Sequence, residues 1–171
     1  MTPSTPTPVT PYARRTLSTR PTGEELSAAH VSHMDPVSVY AMCVLRQDVF
    51  VMEQGVTSER ELDERDLEDG TVTLWWSRGP RVIATVRVLR EEGLMRIGRL
   101  ATAQDARHGG FGGEAMRAAI EICRELEPTQ PIEIHGQSYL KQWYESMGFA
   151  CVGEEFLEAG IWHYPLRYEH A

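Results

Sequence analysis

No stretch of this sequence approaches the roughly 18 consecutive apolar residues of a membrane-spanning helix, so no membrane partner is expected. No apolar h-region stands near the first residue, which speaks against a secretory signal. Cysteine is scarce. Cys43, Cys123 and Cys151 are odd in number, lie within apolar patterns and form no C-x-x-C pair. That argues against a disulfide framework and against a cysteine metal site, and predicts reduced core thiols in a cytoplasmic protein with no bound metal. Excess positive charge is missing too. The net charge is −8, which excludes a general nucleic-acid binder, because such a protein needs a basic face. No internal repeat is visible.

The chain has 171 residues, 42% of them hydrophobic and 25% charged, enough for one soluble domain with a sizeable core. Charge is distributed unevenly. Residues 1–23 hold Arg14, Arg15 and Arg20 and no acid, a charge of +3, which leaves −11 for residues 24–171. The same 23 residues are rich in Thr, Ser and Pro, and predict a disordered or loosely attached tail before a single domain spanning 24–171.

Along that domain, Leu26 to His33 suggests a first strand. Asp35 suits an N-cap and Pro36 the first helical position. Val39, Met42, Cys43, Arg46, Val49 and Phe50 follow at helical spacing, with Arg46 the polar exception, and Gln54-Gly55 ends the run. Residues 55–70 are acidic and aperiodic, which predicts a long loop with room for a short helix. Thr71–Ser77, Val82–Leu89 and Leu94–Ala101, separated by short turns, predict an antiparallel meander. A helix over Glu114–Leu126 carries the apolar stripe Met116, Ala119, Ile120, Cys123 and Leu126. A short strand at Pro131–Gly136 precedes a second helix, capped by Ser138 and closed by Gly148, with the face Leu140, Trp143, Tyr144 and Met147. Phe149–Phe156 and Ile161–Tyr168 read as two closing strands around a turn at Glu158-Ala159-Gly160.

Arg107-His108-Gly109-Gly110-Phe111-Gly112-Gly113, directly before the long helix, concentrates the chemistry. Its glycines let backbone N–H groups converge without Cβ obstruction, and the helix adds its free N–H groups and positive dipole end. Such a loop suits phosphate oxygens. It lacks the Lys-Ser/Thr pair of nucleotide triphosphatases. Gly110 to Ala115 fits G-x-G-x-x-G/A, and Glu133 lies about twenty residues on. In a dinucleotide fold, however, the first glycine follows its strand almost directly, whereas Thr102 to Gly109 intervene here.

Arg107, Gly110 and Gly112 also meet Arg-x-x-Gly-x-Gly after a meander and before an amphipathic helix. Downstream stands Tyr144-Glu145-Ser146-Met147-Gly148-Phe149. These two motifs, in this order, resemble the GNAT family of N-acetyltransferases, over about Leu26 to Tyr168. Leu45 to Gln54, Glu61 to Leu67 and the closing Gly153–Phe156 and Gly160–His163 are similar to its ElaA-like branch. Two positions depart from that branch. It usually carries a second basic residue in the loop, where this chain has Gly109, and an Ala-Gln-x-His run where this chain has His135-Gly136-Gln137-Ser138-Tyr139.

The resemblance implies an α/β (α+β) fold, with a mixed, splayed central sheet of about six or seven strands flanked by helices. It implies acetyl-CoA as acyl donor and a primary amine as acceptor, attacked directly in a ternary complex. The coenzyme would meet Arg107, His108, Gly109, Gly110, Phe111, Gly112 and Gly113 through its diphosphate. It would meet Leu100, Ala101 and Thr102 through their backbone, and also Ser138 and Tyr144. Tyr144 is the candidate acid for the leaving thiolate; a core tyrosine is the plain alternative on that apolar face. Glu53 and His163 are rival bases for the amine, and either can be structural. The carboxylate-rich segment Glu53–Asp69 predicts steering of a cationic amine, and a solvated loop is its plain alternative. A peptide acceptor and a homodimer stay open. So do two other readings: a same-fold acyl-homoserine-lactone synthase and a non-catalytic acyl-CoA sensor.

Overall fold

The structure, a computed structural model, describes residues 8–168. Within them one mixed sheet contains β1 (Arg15–Thr19), β2 (Glu25–Ala29), β3 (Val72–Arg78), β4 (Arg81–Glu91), β5 (Leu94–Thr102), β6 (Ile132–Gln137), β7 (Ala150–Cys151), β8 (Phe156–Glu158) and β9 (Ile161–Tyr168). Their lateral order is β1-β2-β3-β4-β5-β6-β9-β7, with β8 also paired to β9. Three α-helices accompany it: α1 (Pro36–Arg46), α2 (Phe111–Leu126) and α3 (Lys141–Glu145). The expected fold class holds.

The meander is as read from the sequence: β3, β4 and β5 pair antiparallel through tight turns at Gly79 and Gly93, both at positive φ. Side-chain alternation assigns the two faces. Trp76 of β3 meets Phe111 of α2 edge-on, and Ala84, Val86 and Val88 lie in register with Trp76, Leu74 and Val72. Arg87, between them, points to the other face, where it reaches Asp63 and Asp66, and Asp66 in turn binds Arg46 of α1. α1 and α2 therefore cover β4 from opposite sides. Met116, Ala119, Ile120 and Cys123 of the predicted stripe are buried against the sheet. Burial pushes the Cys123 thiol up to about 12, which suppresses its thiolate, and all three cysteines are unbridged. Among the described residues, no helix is long and apolar enough to cross a membrane.

The site is positioned by a local failure of pairing. β5 and β6 are parallel neighbours only at Met95–Ile132 and Arg96–Glu133. β5 then runs on to Thr102 and β6 to Gln137 with no further rungs between them. On its other edge β5 carries a bulge: Thr85 and Arg87 of β4 face Ala101 and Gly98, so Leu100 and Arg99 together oppose the single Val86 and β5 holds one extra residue. Arg99 sits at φ 53, a left-handed conformation unusual for a residue with a long side chain. A bulge bends its strand and raises its twist. This one turns β5 away from β6 and opens a V between Leu100–Thr102 and the end of β6.

Four expectations require correction. The predicted tail, as far as the described residues extend into it, is ordered: β1 pairs with β2, Arg15 bonds Glu125 of α2 at 2.7 Å, and Tyr12 C=O accepts from His30 N–H at 2.9 Å. An edge strand needs backbone partners more than apolar side chains, and composition hides it. Residues 1–7 lie outside the described residues. The first strand ends at Ala29, after which His30 caps a 3-10 turn at Val31–His33. Ser138 does not cap a helix; it opens a 3-10 turn, and α3 holds only five residues. Phe149–Phe156 breaks into β7 and β8. This break and β1 account for nine strands rather than six or seven.

Candidate functional site

The glycine loop closes the wide end of the V. Gly110 is the N-cap of α2 at φ 82, and His108 is also left-handed at φ 64. A Cβ on Gly112 would stand 3.0 Å from Thr102 Oγ1, so the glycine lets the helix start touch the end of β5. Arg107, His108, Gly110, Phe111, Gly112 and Gly113 line a cavity of about 270 Å³, together with Thr102 and Trp143. The N-terminal N–H groups of α2 and its positive dipole end sit at this cavity. Gly109 is not part of its wall, because the Phe111 ring already fills the space beside it, 2.8 Å from a Cβ there.

Arg107 turns toward α1. Its Nη1 and Nη2 each lie 2.7 Å from a carboxylate oxygen of Glu53, and its Nε donates to Thr102 C=O at 3.2 Å. That fork holds the Glu53 carboxyl below its usual range. Glu53 ends a segment, Gln47–Glu53, in which α1 widens to a π-helical winding, a change that often marks functional positions. On its outer side Glu53 lines a groove of about 990 Å³ between α1 and the Pro80–Val82 turn. That larger groove shares none of the loop's residues, so size does not locate the chemistry.

Tyr144 and His163 flank the other wall of the V. Gly136 of β6 pairs with Tyr164, and Gln137 pairs with His163. A Cβ on Gly136 would collide with the Tyr144 ring at 2.8 Å, so the glycine admits this ring against the α2 side of the sheet. Tyr144 is buried, and burial pushes its phenol above the usual range. His163 stands on the opposite face, one rung along. Its Nδ1 must donate to Ile161 C=O at 2.8 Å, because a carbonyl can only accept, and this leaves Nε2 with the lone pair. Phe156 stacks on the imidazole with ring planes 27° apart.

Around His163 the structure gathers residues to which the sequence alone assigned no catalytic or binding role. Gln137 Nε2 donates to Gln54 Oε1 at 3.0 Å, tying the end of β6 to the end of the first helix. Glu158 accepts from His135 Nδ1 at 3.0 Å; that bond, with the nearby imidazoles and Arg99, outweighs the opposing effect of burial and leaves its carboxyl lowered. None of these pairs carries a spacing signal, because the partners come from elements far apart in the chain.

The acidic segment is largely neutralised by arginines, most of them from the helix and strands around it. Glu61 pairs with Arg46 and Arg99, Asp63 with Arg87 and Arg99, Asp66 with Arg46 and Arg87, Glu64 with Arg60 and Glu68 with Arg65. Loop fixing is thus its main visible work, and the expected steering field is reduced to the long-range net charge.

Together these features fit an extended ligand with phosphate at one end. The loop offers a glycine cradle, the V offers strand edges without rungs, and Ser138 Oγ, at the end of β6, is buried with no hydrogen-bond partner. Among the expected contacts, Leu100, Ala101 and Thr102 form one edge of the V, Tyr144 and Ser138 belong to its other wall, and Glu53 stands apart on Arg107.

Comparison with known proteins agrees with this geometry. A family model described as "Acetyltransferase (GNAT) domain" matches residues 44–170. A UPF0039 protein of Mycobacterium tuberculosis is 35% identical over 148 residues, 84% of this chain and 92% of the relative. Protein ElaA of Escherichia coli is 30% identical over 144 residues, 82% of this chain and 93% of its own length. The crystal structure of an acyl-CoA N-acyltransferase from Pseudomonas aeruginosa superposes with a TM-score of 0.80 at 30% identity, covering 85% of this chain and 99% of that one.

Proposed function

The chain belongs to the GNAT acetyltransferase family, in its ElaA-like branch, and from that premise we propose that it transfers the acetyl group of acetyl-CoA to a primary amine within a ternary complex. One observation carries the reading: Tyr144 and His163 lie on opposite faces of β6 and β9, one rung apart, at the open end of the V.

The amine nitrogen attacks the thioester carbonyl carbon while the carbonyl oxygen takes hydrogen bonds from the exposed edge of β5. An alkylamine resembles lysine, with a pKa of about 10.4, so it must shed a proton before it attacks. His163 Nε2 receives that proton. Glu53 is the weaker candidate, because both its oxygens are already engaged by Arg107. The thiolate leaves on the other face and meets the Tyr144 hydroxyl. Burial makes this phenol hold its proton more firmly than a thiol of pKa about 8.5 would, so Tyr144 acts chiefly as a hydrogen-bond donor to the developing charge.

Tyr144→Phe is therefore expected to lower kcat about tenfold, the scale of one charged hydrogen bond, with little change in KM for acetyl-CoA. Steady-state thiol release measures both constants, and an unchanged kcat would return Tyr144 to the core.

The acceptor is a small cationic amine in this reading. Glu158 at the acceptor face and the net charge of −11 beyond residue 23 support it, whereas the paired carboxylates of Glu61–Asp66 do not. The preference for a cationic over a matched neutral amine should be modest, a few-fold in kcat/KM, and should shrink as salt is raised. A salt-independent ratio would remove the long-range contribution. The primary test is an amine panel with acetyl-CoA, read by thiol release and by mass of the product. Coenzyme binding without release on any amine would favour a sensor instead.

A further inference from the structure

Coenzyme A presents a diphosphate and a 3′-phosphate, yet the loop has a single arginine, and Glu53 holds both ends of its fork. A second arginine reaches the loop from outside it. Arg20 directly follows β1, in a turn closed by Gly23 N–H to Arg20 C=O at 2.9 Å. Its guanidinium lies 3.8 Å from the Phe111 ring centroid and 5.1 Å from that of Trp76. Its Nη2 stands 3.5 Å from where a Cβ of Gly110 would be, at the N-cap of α2.

The same ring links this placement to the missing basic side chain. Phe111 occupies the space beside Gly109, so a side chain at 109 would have to displace the ring that carries Arg20. Charge from position 109 and charge from position 20 are thus sterically alternative ways to serve one loop. Arg20 is paired with Glu114 Oε1 at 2.5 Å, and that oxygen is 3.7 Å from the Gly110 Cβ position. A carboxylate in the first turn of a helix takes the place beside the free N–H groups that suits an incoming phosphate. The Arg20 side chain is only 24% exposed, so its head is held over the loop rather than free in solvent.

We propose that Arg20 is the second cation of the coenzyme's phosphate site, exchanging Glu114 for a phosphate oxygen when coenzyme A binds. This rests on the N-acetyltransferase reading of the loop.

Calorimetric titration of the full chain tests it, with coenzyme A and 3′-dephospho-coenzyme A as ligands and KM for S-acetylpantetheine as a phosphate-free control. Arg20→Met keeps the apolar stem over Phe111 and removes the charge. It should raise the Kd for coenzyme A about tenfold and leave KM for S-acetylpantetheine unchanged. Equal losses on both nucleotides place the contact on the diphosphate. A loss confined to coenzyme A places it on the 3′-phosphate. Glu114→Gln should tighten coenzyme A binding in the parent but not restore Arg20→Met. Full restoration would overturn the inference, since Arg20 would then only neutralise Glu114. So would an unchanged Kd, or an equal loss with S-acetylpantetheine. Failure of the unaltered chain to bind coenzyme A overturns the N-acetyltransferase reading itself.

Discussion

Arg46→Ala is expected to cost about 3–5 kcal/mol of stability, the largest effect of any single change outside the apolar core. The guanidinium is 1% exposed and serves two acids from separate parts of the loop. Its Nη1 donates to Asp66 at 2.9 Å, its Nη2 to the Glu61 carbonyl at 3.0 Å, and its Nε to the Glu61 carboxylate. Truncation leaves both carboxylates nearly buried without their main counter-charge, and that penalty exceeds the strength of the pairs themselves. Arg99 and Arg87 still reach Glu61 and Asp66, which favours the lower part of the range. Against a typical stability of about 5–15 kcal/mol the loss is large, and urea unfolding should show an earlier midpoint. Replacing the three charges together, Arg46→Met with Glu61→Gln and Asp66→Asn, should recover much of it. If the triple variant is no more stable than Arg46→Ala, lost packing rather than stranded charge is the cause.

One carboxylate of the same network, Asp63, makes stability sensitive to acid. Burial raises the Asp63 carboxyl, but hydrogen bonds from Arg87 and the charges of Arg87 and Arg99 outweigh it and bring the group down to about 2. An unfolded aspartate titrates near 3.9. A folded value below the unfolded one gives stability that is complete above about pH 4 and lost as pH falls toward 2. Asp63→Asn should therefore flatten the fall in unfolding midpoint across that window, at some cost at neutral pH.

What the sequence revealed and what it hid follow from the range of the interactions involved. The loop, the helix behind it and the meander were legible, because glycine spacing, helical stripes and tight turns are local signals. Arg46 was visible as a charge on an apolar stripe, and its acids stood fifteen and twenty residues on, but only folding shows that they close on one buried guanidinium. β1 was hidden because its stability comes from β2, from Arg15–Glu125 and from Arg14 over Trp75, none of which composition reports. The bulge at Arg99 was hidden for the opposite reason. A positive φ usually announces itself through glycine, and here an arginine adopts it while its head binds Glu61 and Asp63. Of the candidate site, the glycine loop was local and therefore readable. The choice between Glu53 and His163 was not, since it turns on Arg107 reaching 54 residues back along the chain.

That choice yields the largest expected change in activity. His163→Ala should lower kcat/KM for an alkylamine by about 10², within the range of a general base and equal to about 2.7 kcal/mol of transition-state stabilisation. Glu53→Gln should change it by no more than about threefold, because the fork on Arg107 holds the carboxyl below its usual range and makes it a poorer proton acceptor. The Nδ1–H bond to Ile161 C=O leaves only Nε2 to take the proton, so the effect must depend on how basic the acceptor is. A weakly basic amine such as hydroxylamine is already neutral when it binds and needs no base. His163→Ala should therefore remain close to the parent with hydroxylamine while failing with the alkylamine, and free imidazole should restore part of the alkylamine rate. A purely structural histidine, stacked on Phe156 to hold the closing hairpin, would instead depress both acceptors equally and resist rescue. If Glu53→Gln shows the acceptor-dependent loss in place of His163→Ala, the base is the carboxylate, and coenzyme binding must first draw Arg107 away from it.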